Sequence, residues 1–546
     1  MLGQGSSPPR ERFRHWRSGT AGALLVAAVL AAYANSFRGV FVFDDLPAIL
    51  ENPTIHGGAD LGKILHPPEL STVAGRPVLN LTFALNQAIS RDAVWSYHVF
   101  NLLIHLAAGG FLFGIVRRTL RRRGVESSLP AWAITGLWLL HPLQTESVTY
   151  IVQRAESLMG LFYLAAFYCF VRAVEKERAR IWSALTVLFS LIGMATKESM
   201  VTLPVLLLLY DRIFIAGSFS ATWQRRRGLY TGLACTWGML VWLMIGTHSR
   251  GGSAGFGANA GAFDYFVTQL FAVVHYVHLA LFPQPLIFDY GSELMKFSPM
   301  LALHAAVYFA LLAATIVALI QRPAVGFLGA TFFLLLAPTS TFVPVASQTI
   351  AEHRMYLPLA AVIAAVVLGV HAWLGRNALA LWLVAAAALA VATCERNADY
   401  HSALALWTDT ATKRPGNGRA HDWIGLAALK TGKTEEALGE FHRAVAIQPS
   451  NAKFRNNLGA ALATLGRHEE ATKEFQAAVT LDPAFTDARH NLSQAETQLA
   501  IALIRGGHVE ESIAHLRRAV KLAPEDQATV YNLNFALQQL GRAAKP

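Results

Sequence analysis

Two adjacent carboxylates stand where the first apolar run of the sequence meets a polar segment. Asp44 and Asp45 lie in FVFDDLPAIL, residues 41–50, shortly after an apolar stretch over 19–36. Because Pro47 suits the first turn of a helix, either aspartate could simply be a helix cap. An aspartate in this position could equally accept the proton of an attacking hydroxyl group, which is general-base chemistry. The sequence leaves open which of the two would act as base and which as cap.

Further polar and ionisable groups flank other apolar segments. They occur in GRPVLN, HPLQTESVTYIVQRAES, ATKESMVTLP and AEHRMYLP, and they are Arg76, His141, Gln144, Glu146, Arg154, Glu156, Lys197, Glu198, Glu352, His353, Arg354 and Tyr356. Charged groups at membrane depth are costly and usually face a cavity or a partner, so this gathering indicates a site. Structural ion pairs are the alternative. In that interpretation Lys197 pairs with Glu198 or Glu146. Arg354 would then pair with Glu352.

The composition is that of a membrane protein. Of the 546 residues, 54% are hydrophobic and 15% are charged, and the mean hydropathy is +0.37. Many apolar runs approach the length of about 20 residues that a membrane-spanning helix needs. We therefore predict an all-α fold whose membrane domain, residues 19–396, is a polytopic bundle of about eleven transmembrane helices. The predicted spans are 19–36, 97–116, 130–149, 156–174, 181–195, 199–215, 228–246, 300–320, 324–342, 356–374 and 378–394.

The basic residues predict the orientation of this bundle. The net charge is +11, but the basic residues form short clusters at the ends of apolar runs, which favours membrane orientation over nucleic-acid binding. These clusters fall in alternate connections, so the positive-inside tendency places the tail 1–18 in the cytoplasm and the C-terminus outside. The first apolar run is then a retained anchor, since no clear cleavage site follows it. The loop 37–95 and the polar groups named above share the outer side. The segment 263–282 must also stay there, as an interfacial or re-entrant helix.

The C-terminal part carries a repeat. EEALGEFHRAVAIQP starts at Glu435, EEATKEFQAAVTLDP at Glu469 and EESIAHLRRAVKLAP at Glu510. The first two starts are separated by the period of the tetratricopeptide helix pair, so we predict a tetratricopeptide-repeat solenoid over 397–546. The third start comes later, which predicts a first helix about two turns longer in that unit. A partial unit precedes the others, with Trp407 in the aromatic position. Such arrays usually hold a peptide or protein, and a purely structural cap is the alternative.

Carboxylates together with arginine, lysine and histidine at a membrane edge suit the transfer of a sugar from a lipid phosphate. Arginine or lysine can hold the phosphate leaving group with charge-assisted hydrogen bonds. A hydroxyl acceptor is a poor nucleophile, so an aspartate would take its proton as the oxygen attacks the sugar carbon. Carboxylates also stabilise an oxocarbenium-like transition state, and a single displacement inverts the anomeric centre.

The motifs, taken in their order, resemble one family. They are FVFDDLPAILENPTI, GRPVLNLTFALNQAI, YHVFNLLIHLAAGGFLF, HPLQTESVTYIVQRAESL, ATKESMVTLPVLLLLYD and AEHRMYLPLAA. Followed by tetratricopeptide repeats, they resemble the transmembrane and tetratricopeptide-repeat O-mannosyltransferases of the GT-C glycosyltransferase class, over nearly the whole chain. The resemblance implies a GT-C membrane bundle, a polyprenyl-phosphate sugar such as dolichyl-phosphate mannose as donor, and transfer to Ser or Thr of an acceptor protein.

The resemblance also implies roles for individual residues. Asp44 and Asp45 correspond to the catalytic acidic motif. The expected ligands of the donor phosphate are Arg354 and Arg154 first, with Lys197 next. The expected supporting residues are Arg76, Gln144, Glu146, Glu198, Glu352, His353 and Tyr356. This chain departs from the family pattern where His353 separates the glutamate and the arginine that are often adjacent there, which puts the pairing of these two groups in question.

Cofactors and location follow as expectations. No cofactor is required by this chemistry. A divalent metal ion held by outer histidines is the alternative, and the candidates are His56, His66, His275 and His278. The three cysteines are odd in number and show no paired spacing, so they predict neither a disulfide framework nor a cysteine metal site.

The Ala- and Arg-rich composition and the short repeat array indicate a bacterial relative. Its donor would be an undecaprenyl-phosphate sugar, and its repeats would lie in the periplasm beside the cytoplasmic (inner) membrane. A dolichyl donor and the endoplasmic reticulum lumen are the alternative. The competing function is a non-catalytic membrane scaffold whose repeats recruit envelope or secretory proteins. A transporter is disfavoured, because no run of charges inside the spans forms a path across the bilayer.

Overall fold

The computed structural model describes residues 9–56, 58, 60–69, 71–175, 178–246, 261–341, 343–345 and 348–543. By its internal contacts the chain divides into two compact units, 1–403 and 404–546. The regular elements of the described residues are helices, which confirms the predicted all-α class. Each unit is described separately.

The first unit is a bundle of helices. In its described part the helices of nine residues or more are α1 (Pro9–Tyr33), α2 (Pro77–Ser90), α3 (Trp95–Arg122), α4 (Leu129–Leu139), α5 (Arg154–Ala173), α6 (Ala179–Met194), α7 (Leu203–Asp211), α8 (Phe219–Ile245), α9 (Ala262–Leu281), α10 (Pro299–Gln321), α11 (Pro323–Leu336), α12 (Pro358–Leu374) and α13 (Ala378–Asp399). Proline stands in the first turn of α2, α4, α7, α10, α11 and α12, where its missing N–H group breaks no helical hydrogen bond.

Several of these helices can cross a membrane. Among the described residues, seven helical stretches are long and apolar enough by length and composition, and α4, α6 and α11 are shorter apolar helices. One of the seven, Pro358–Asp399, combines α12 and α13. The predicted total of about eleven spans therefore stays a prediction. The segment predicted as interfacial forms α9, which is not among the seven but buries Tyr265, Ala272 and Tyr276 in the core of the bundle.

The segment predicted as one span over 130–149 forms a continuous helix only as far as Leu139. Beyond it the chain forms three short helices, Pro142–Gln144, Thr145–Val148 and Ile151–Gln153. Proline at 142 removes a backbone donor, which prevents α4 from continuing. This break places a run of buried polar residues between α4 and α5.

The predicted outer loop over 37–95 is folded. It contains a five-residue π-helical turn, Leu46–Leu50, two four-residue helices and α2. Two buried asparagines hold these parts together: Asn52 donates to Asn80 Oδ1 (2.9 Å), and Asn80 donates to the carbonyl of Ile64 (2.7 Å). The acidic motif therefore lies on a structured segment.

The second unit is a series of antiparallel helix pairs. Its helices are α14 (Ala403–Lys413), α15 (Gly418–Lys430), α16 (Thr434–Ile447), α17 (Ala452–Thr464), α18 (His468–Leu481), α19 (Thr486–Arg505), α20 (Val509–Leu522) and α21 (Gln527–Ala543). The predicted repeat is confirmed in detail, because α16, α18 and α20 each have 14 residues and end just before a proline. The predicted longer helix is α19, with 20 residues against 13 in α17. Trp407 is buried and stacks on Trp423 at 5.8 Å.

A buried carboxylate gives the second unit a predicted pH dependence. Asp422 is 1% exposed, accepts a hydrogen bond from Asn457 (2.8 Å), and burial raises its pKa to about 6. Since the folded pKa exceeds the unfolded value of about 4, the stability of this unit should fall as the pH rises between these values. We expect Asp422→Asn to stabilise the protein by roughly 1–3 kcal/mol at pH 7.5 and to have little effect at pH 4. Thermal unfolding of the full chain at both pH values measures this.

Asp487→Asn is the matched control, because that side chain is exposed. It should change stability equally little at both pH values. An Asp422→Asn variant no more stable than the parent at pH 7.5 would contradict the raised pKa.

Candidate functional site

The two aspartates of the acidic motif have different environments. Asp45 is fully buried, and its carboxylate accepts hydrogen bonds from the backbone N–H groups of Val42 (3.0 Å) and Val152 (2.7 Å). It precedes the π-helical turn but makes no side-chain capping bond to it. Burial raises the pKa of Asp45 well above its usual range, although both hydrogen bonds oppose this. Asp45 therefore ties the acidic loop to the start of α5.

Asp44 is only half-buried. Its backbone N–H group donates to the hydroxyl of Tyr150 (3.0 Å), which holds the peptide at this position. The preceding residue, Phe43, has φ of +48°, a left-handed conformation that is uncommon for a bulky residue. Strained backbone of this kind is concentrated at functional sites. Of the two carboxylates, only that of Asp44 is in part accessible from outside the protein.

Aromatic rings surround this loop. Phe288 packs edge-on against Phe43 (6.3 Å between centroids), Tyr150 (5.0 Å) and Tyr400 (5.9 Å). The carbonyl of Tyr400 also accepts a hydrogen bond from Val40 (3.2 Å). The acidic loop is thus held between the turns before α5, the segment after α9 and the end of α13.

Glu146 and Glu352, both buried, organise the next layer. Glu146 lies 2.7 Å from Nδ1 of His353 and also accepts the backbone N–H of that residue (2.7 Å). Glu352 accepts hydrogen bonds from the N–H of Ile287 (2.6 Å) and the hydroxyl of Tyr290 (2.9 Å). Burial raises the pKa of both glutamates, and the charge of Arg396 opposes this shift. The alternative pairing of Arg354 with Glu352 is wrong, since this carboxylate is bonded to the segment after α9.

Gln144 and Tyr356 belong to the same layer. Gln144 donates to the carbonyl of Tyr356 (3.3 Å), and the tyrosine hydroxyl lies 3.0 Å from Nδ1 of His105. The ring of Tyr356 also packs closely against α5. A Cβ atom at Gly160 of that helix would lie 2.5 Å from the ring. Glycine at 160 is therefore required for the packing that supports this layer.

Two ion pairs lie beside His353. The ammonium group of Lys197 is 2.7 Å from Glu156 Oε1, and both side chains are about 5% exposed. Arg76 lies 3.4 Å from Glu198, which is 25% exposed. Among the described contacts, Lys197 thus forms a structural ion pair with Glu156, in place of the partners considered, Glu198 and Glu146. Burial lowers the pKa of His353 well below its usual value, and the charge of Lys197 lowers it further, so these groups form one cluster.

Arg154 is completely buried and bonded to protein oxygens. Its guanidinium group donates to Asn101 Oδ1 (2.6 Å), Asn86 Oδ1 (2.6 Å), both oxygens of Thr82 (3.2 and 3.3 Å) and the carbonyl of Tyr97 (3.0 Å). It also lies over the ring of Phe83, 4.7 Å from its centroid. This arrangement joins the start of α5 to α2 and α3.

Arg354 is also buried but borders a cleft. Its guanidinium donates to the carbonyls of Thr339 and Thr349 (3.0 Å each) and to the hydroxyl of Tyr265 (3.2 Å). The cleft is narrow, about 10 Å³ in volume, which is room for roughly one water molecule, and its wall includes Glu156, Ser199 and Arg354. Since Glu156 is the partner of Lys197, two of the three predicted phosphate ligands lie at this cleft or next to it.

Some residues of the site were not predicted from the sequence. They are Tyr150, Phe288, Asp289, Tyr290, Arg396 and Tyr400. Asp289 and Arg396 are buried and act electrostatically on Glu146. The signal that could have found them is IFDYG, residues 287–291, where an acid lies between aromatic residues directly after two prolines.

Among the described contacts of the histidines considered as metal ligands, only His275 and His278 contact each other. His56 and His66 contact backbone carbonyls of Ile49 and Gly62 (2.8 Å each), and His275 lies 3.0 Å from the hydroxyl of Tyr290. His278 stacks with His275 at 6.4 Å. Within the described ranges, no group of three or more His, Cys, Asp or Glu side chains is arranged to hold a metal ion.

Comparison with known families agrees with this architecture. The family described as dolichyl-phosphate-mannose-protein mannosyltransferase matches residues 66–245, and a tetratricopeptide-repeat family matches 395–452 and 424–484. The chain is thus an integral membrane protein with a mannosyltransferase-family region and C-terminal tetratricopeptide repeats.

The curated relatives carry matching names. Protein O-mannosyl-transferase TMTC3 of Homo sapiens is 32% identical over 208 residues, 36% of this chain and 22% of that protein. Protein O-mannosyl-transferase TMTC4 of Homo sapiens is 30% identical over 221 residues, 36% of this chain and 30% of that protein. Protein O-mannosyl-transferase Tmtc3 of Drosophila melanogaster is 25% identical over 531 residues, 81% of this chain and 57% of that protein. The chain therefore matches less than two thirds of the length of each of these relatives.

A solved structure was also compared with the chain. The first tetratricopeptide domain of Spaghetti (RPAP3), solved with an HSP90 peptide, is 21% identical and covers 23% of this chain and 93% of that one, with a TM-score of 0.19. A score this low supports no conclusion about this protein.

Proposed function

We propose that this protein transfers a mannosyl or other hexosyl group from a polyprenyl-phosphate donor to a Ser or Thr hydroxyl of an acceptor protein, with Asp44 as the general base. The observation that carries this proposal is the half-buried carboxylate of Asp44 on a strained loop that Tyr150 and Asp45 hold in place. The mannosyltransferase-family region and the names of the relatives support the same reaction class.

The proposed step is a single displacement. The acceptor oxygen attacks C1 of the sugar, a new C–O bond forms, and the bond from C1 to the phosphate oxygen breaks. The electron pair of the broken bond leaves with the lipid phosphate, and Asp44 takes the hydroxyl proton. Attack from the face opposite the leaving group inverts C1. The step uses only donor and acceptor and involves no cofactor or resident metal ion.

Asp45 is a positioning residue in this proposal. Two backbone N–H groups point at its carboxylate, and it is fully buried, so a substrate hydroxyl does not reach it. The bond to Val152 fixes the distance between the acidic loop and the start of α5. Asp45 thus holds its neighbour in place.

The donor phosphate is proposed to bind beside Arg354, where the narrow cleft has to widen to admit it. Lys197 is the first candidate ligand, because within the described residues its ammonium group has one hydrogen-bond partner, Glu156, and three donors. Arg354 comes second, since its Nη1 already donates to three protein oxygens. Arg154, bonded to five protein oxygens, has a structural role. This order differs from the expectation that ranked both arginines first.

Removal of the charge at Lys197 should weaken donor binding. We expect Lys197→Gln to raise the KM for the lipid donor about 10- to 100-fold, the equivalent of one charge-assisted hydrogen bond, and to leave the KM for the acceptor within about twofold. Initial rates with the purified full chain, varied in each substrate separately, measure both constants. Glu198→Gln is the control, because it removes a charge from the same cluster without touching the cleft. A folded Lys197→Gln protein with unchanged donor KM would contradict the assignment.

The active site is proposed to face the periplasm or the lumen of the endoplasmic reticulum, with the repeats on the same side to hold the acceptor. The most informative test compares outer-side proteins from cells with and without this chain by mass spectrometry. The proposal requires a hexose on Ser or Thr that appears only when the chain is present. The scaffold alternative requires unchanged glycosylation together with loss of an assembled partner. The same experiment would identify the sugar and the acceptor.

A further inference from the structure

A groove with a basic end runs along α3, at the opposite end from the acidic loop. It has a volume of about 510 Å³, and its lining includes Gly110, Gly114 and Phe111 from α3 and Tyr168 from α5. This volume is within the range of roughly 300–1,000 Å³ typical of small-ligand pockets. Gly110 is exposed, and a Cβ atom there would meet nothing within 4 Å, so the groove is open along its floor.

Positively charged side chains line one end of this groove. Arg117, Arg118 and Arg121 are part of its lining, which among the described residues contains no carboxylate. Among the described residues, Glu175 contacts Arg118 (2.7 Å), Arg172 (3.2 Å) and Arg122 (3.7 Å). Counted over these described residues and the lining of the groove, the arginines outnumber the acids. This charge is complementary to a phosphate group.

The length of the groove along α3 matches the hydrocarbon thickness of one bilayer leaflet. From Gly110 to Arg121 the helix rises roughly 16 Å at about 1.5 Å per residue. One leaflet contributes about 15 Å of hydrocarbon to a core about 30 Å thick. Arg117 and Arg121 are one turn apart on the same face of α3, so their side chains can bind one anion together. The positive-inside tendency places this arginine-rich end at the cytoplasmic leaflet.

We propose that this groove binds one anionic phospholipid of that leaflet, with its phosphate between Arg117 and Arg121 and one acyl chain along Gly110 and Gly114. The site lies at the far end of α3 from Asp44 and is distinct from the donor site. It does not depend on the proposed catalytic function.

Native mass spectrometry of the full chain in detergent tests the proposal. The probes are phosphatidylglycerol, phosphatidylcholine with the same acyl chains, and inorganic phosphate as a competitor. We expect one phosphatidylglycerol to be retained at least tenfold more tightly than phosphatidylcholine, and millimolar inorganic phosphate not to displace it. Joint replacement Arg117→Gln and Arg121→Gln should weaken this first binding event at least tenfold.

Two further variants separate a lipid groove from a merely basic surface. Gly110→Leu places a side chain in the groove, its Cβ atom would meet nothing within 4 Å, and leucine improves helix propensity, so the variant should fold and still lose the lipid. Arg123→Gln removes an exposed charge outside the groove and should bind phosphatidylglycerol like the parent. Equal loss in Arg123→Gln, unchanged binding in Gly110→Leu, equal affinity for both lipids, or displacement by inorganic phosphate would each overturn the proposal. Displacement by phosphate would identify a site for the free anion.

Discussion

Exchange of Asp44 for asparagine is expected to lower the rate of sugar transfer about 10²- to 10⁴-fold, the usual contribution of a general base. The amide keeps the size of the side chain but cannot take the hydroxyl proton. Asp44 is half-buried, and the hydrogen bond to the Tyr150 hydroxyl is donated by its backbone N–H group, which the substitution keeps. The variant should therefore fold with an unchanged melting temperature. Single-turnover kinetics of the purified full chain, with bound donor and saturating acceptor, isolates this step from substrate binding.

Asp45→Asn is the matched comparison, since it makes the same chemical change one residue later. An asparagine there can direct only one oxygen at two backbone donors, so one of the N–H groups of Val42 and Val152 loses its acceptor in a buried environment. A loss of stability of about 1–3 kcal/mol is expected, with partial activity in the folded fraction. If Asp45→Asn folds normally and abolishes transfer while Asp44→Asn remains active, the two roles are reversed.

Exchange of Arg154 for lysine should destabilise the membrane unit by about 2–4 kcal/mol, although the charge is conserved. A lysine cannot reproduce the planar fork that reaches five oxygens on α2 and α3, and several of these buried acceptors would be left without a donor. The expected result is a lower melting temperature and a smaller monodisperse fraction in size-exclusion chromatography. The remaining folded protein should bind the donor with near-normal affinity.

Arg180→Lys is the control for this experiment, because Arg180 is an exposed arginine near the start of α6. It should leave the melting temperature unchanged. An Arg154→Lys protein of full stability that has lost donor affinity would restore the interpretation of Arg154 as a phosphate ligand.

The elements of the fold were largely predictable, because their signals are local. Apolar runs, prolines in first turns and the spacing of Glu435, Glu469 and Glu510 depend on neighbours within a few turns. Even the longer helix α19 follows from the later start of the third unit. The break after α4 was missed, because apolar residues continue to either side of it.

The partners within the site could not be predicted, since they are set by contacts between distant segments. Lys197 forms its ion pair with Glu156, which is 41 positions away, and not with the adjacent Glu198. His353 contacts Glu146 across 207 positions. For Lys197, charge alone favoured Glu198 or Glu146. The motifs thus identified which residues gather at the site, and the packing of the helices determined which of them are bonded to each other.

The proposed reaction requires that this chain itself transfers a sugar with Asp44 as base. The most direct measurement incubates the purified full chain with a radiolabelled polyprenyl-phosphate mannose and a Ser/Thr-containing acceptor, and follows label in the acceptor for the parent and for Asp44→Asn at matched melting temperature. We expect label in the acceptor with the parent, in inverted anomeric configuration, and a loss of at least about 10²-fold with the variant. Equal label transfer by the parent and by a folded Asp44→Asn protein would rule out Asp44 as the base.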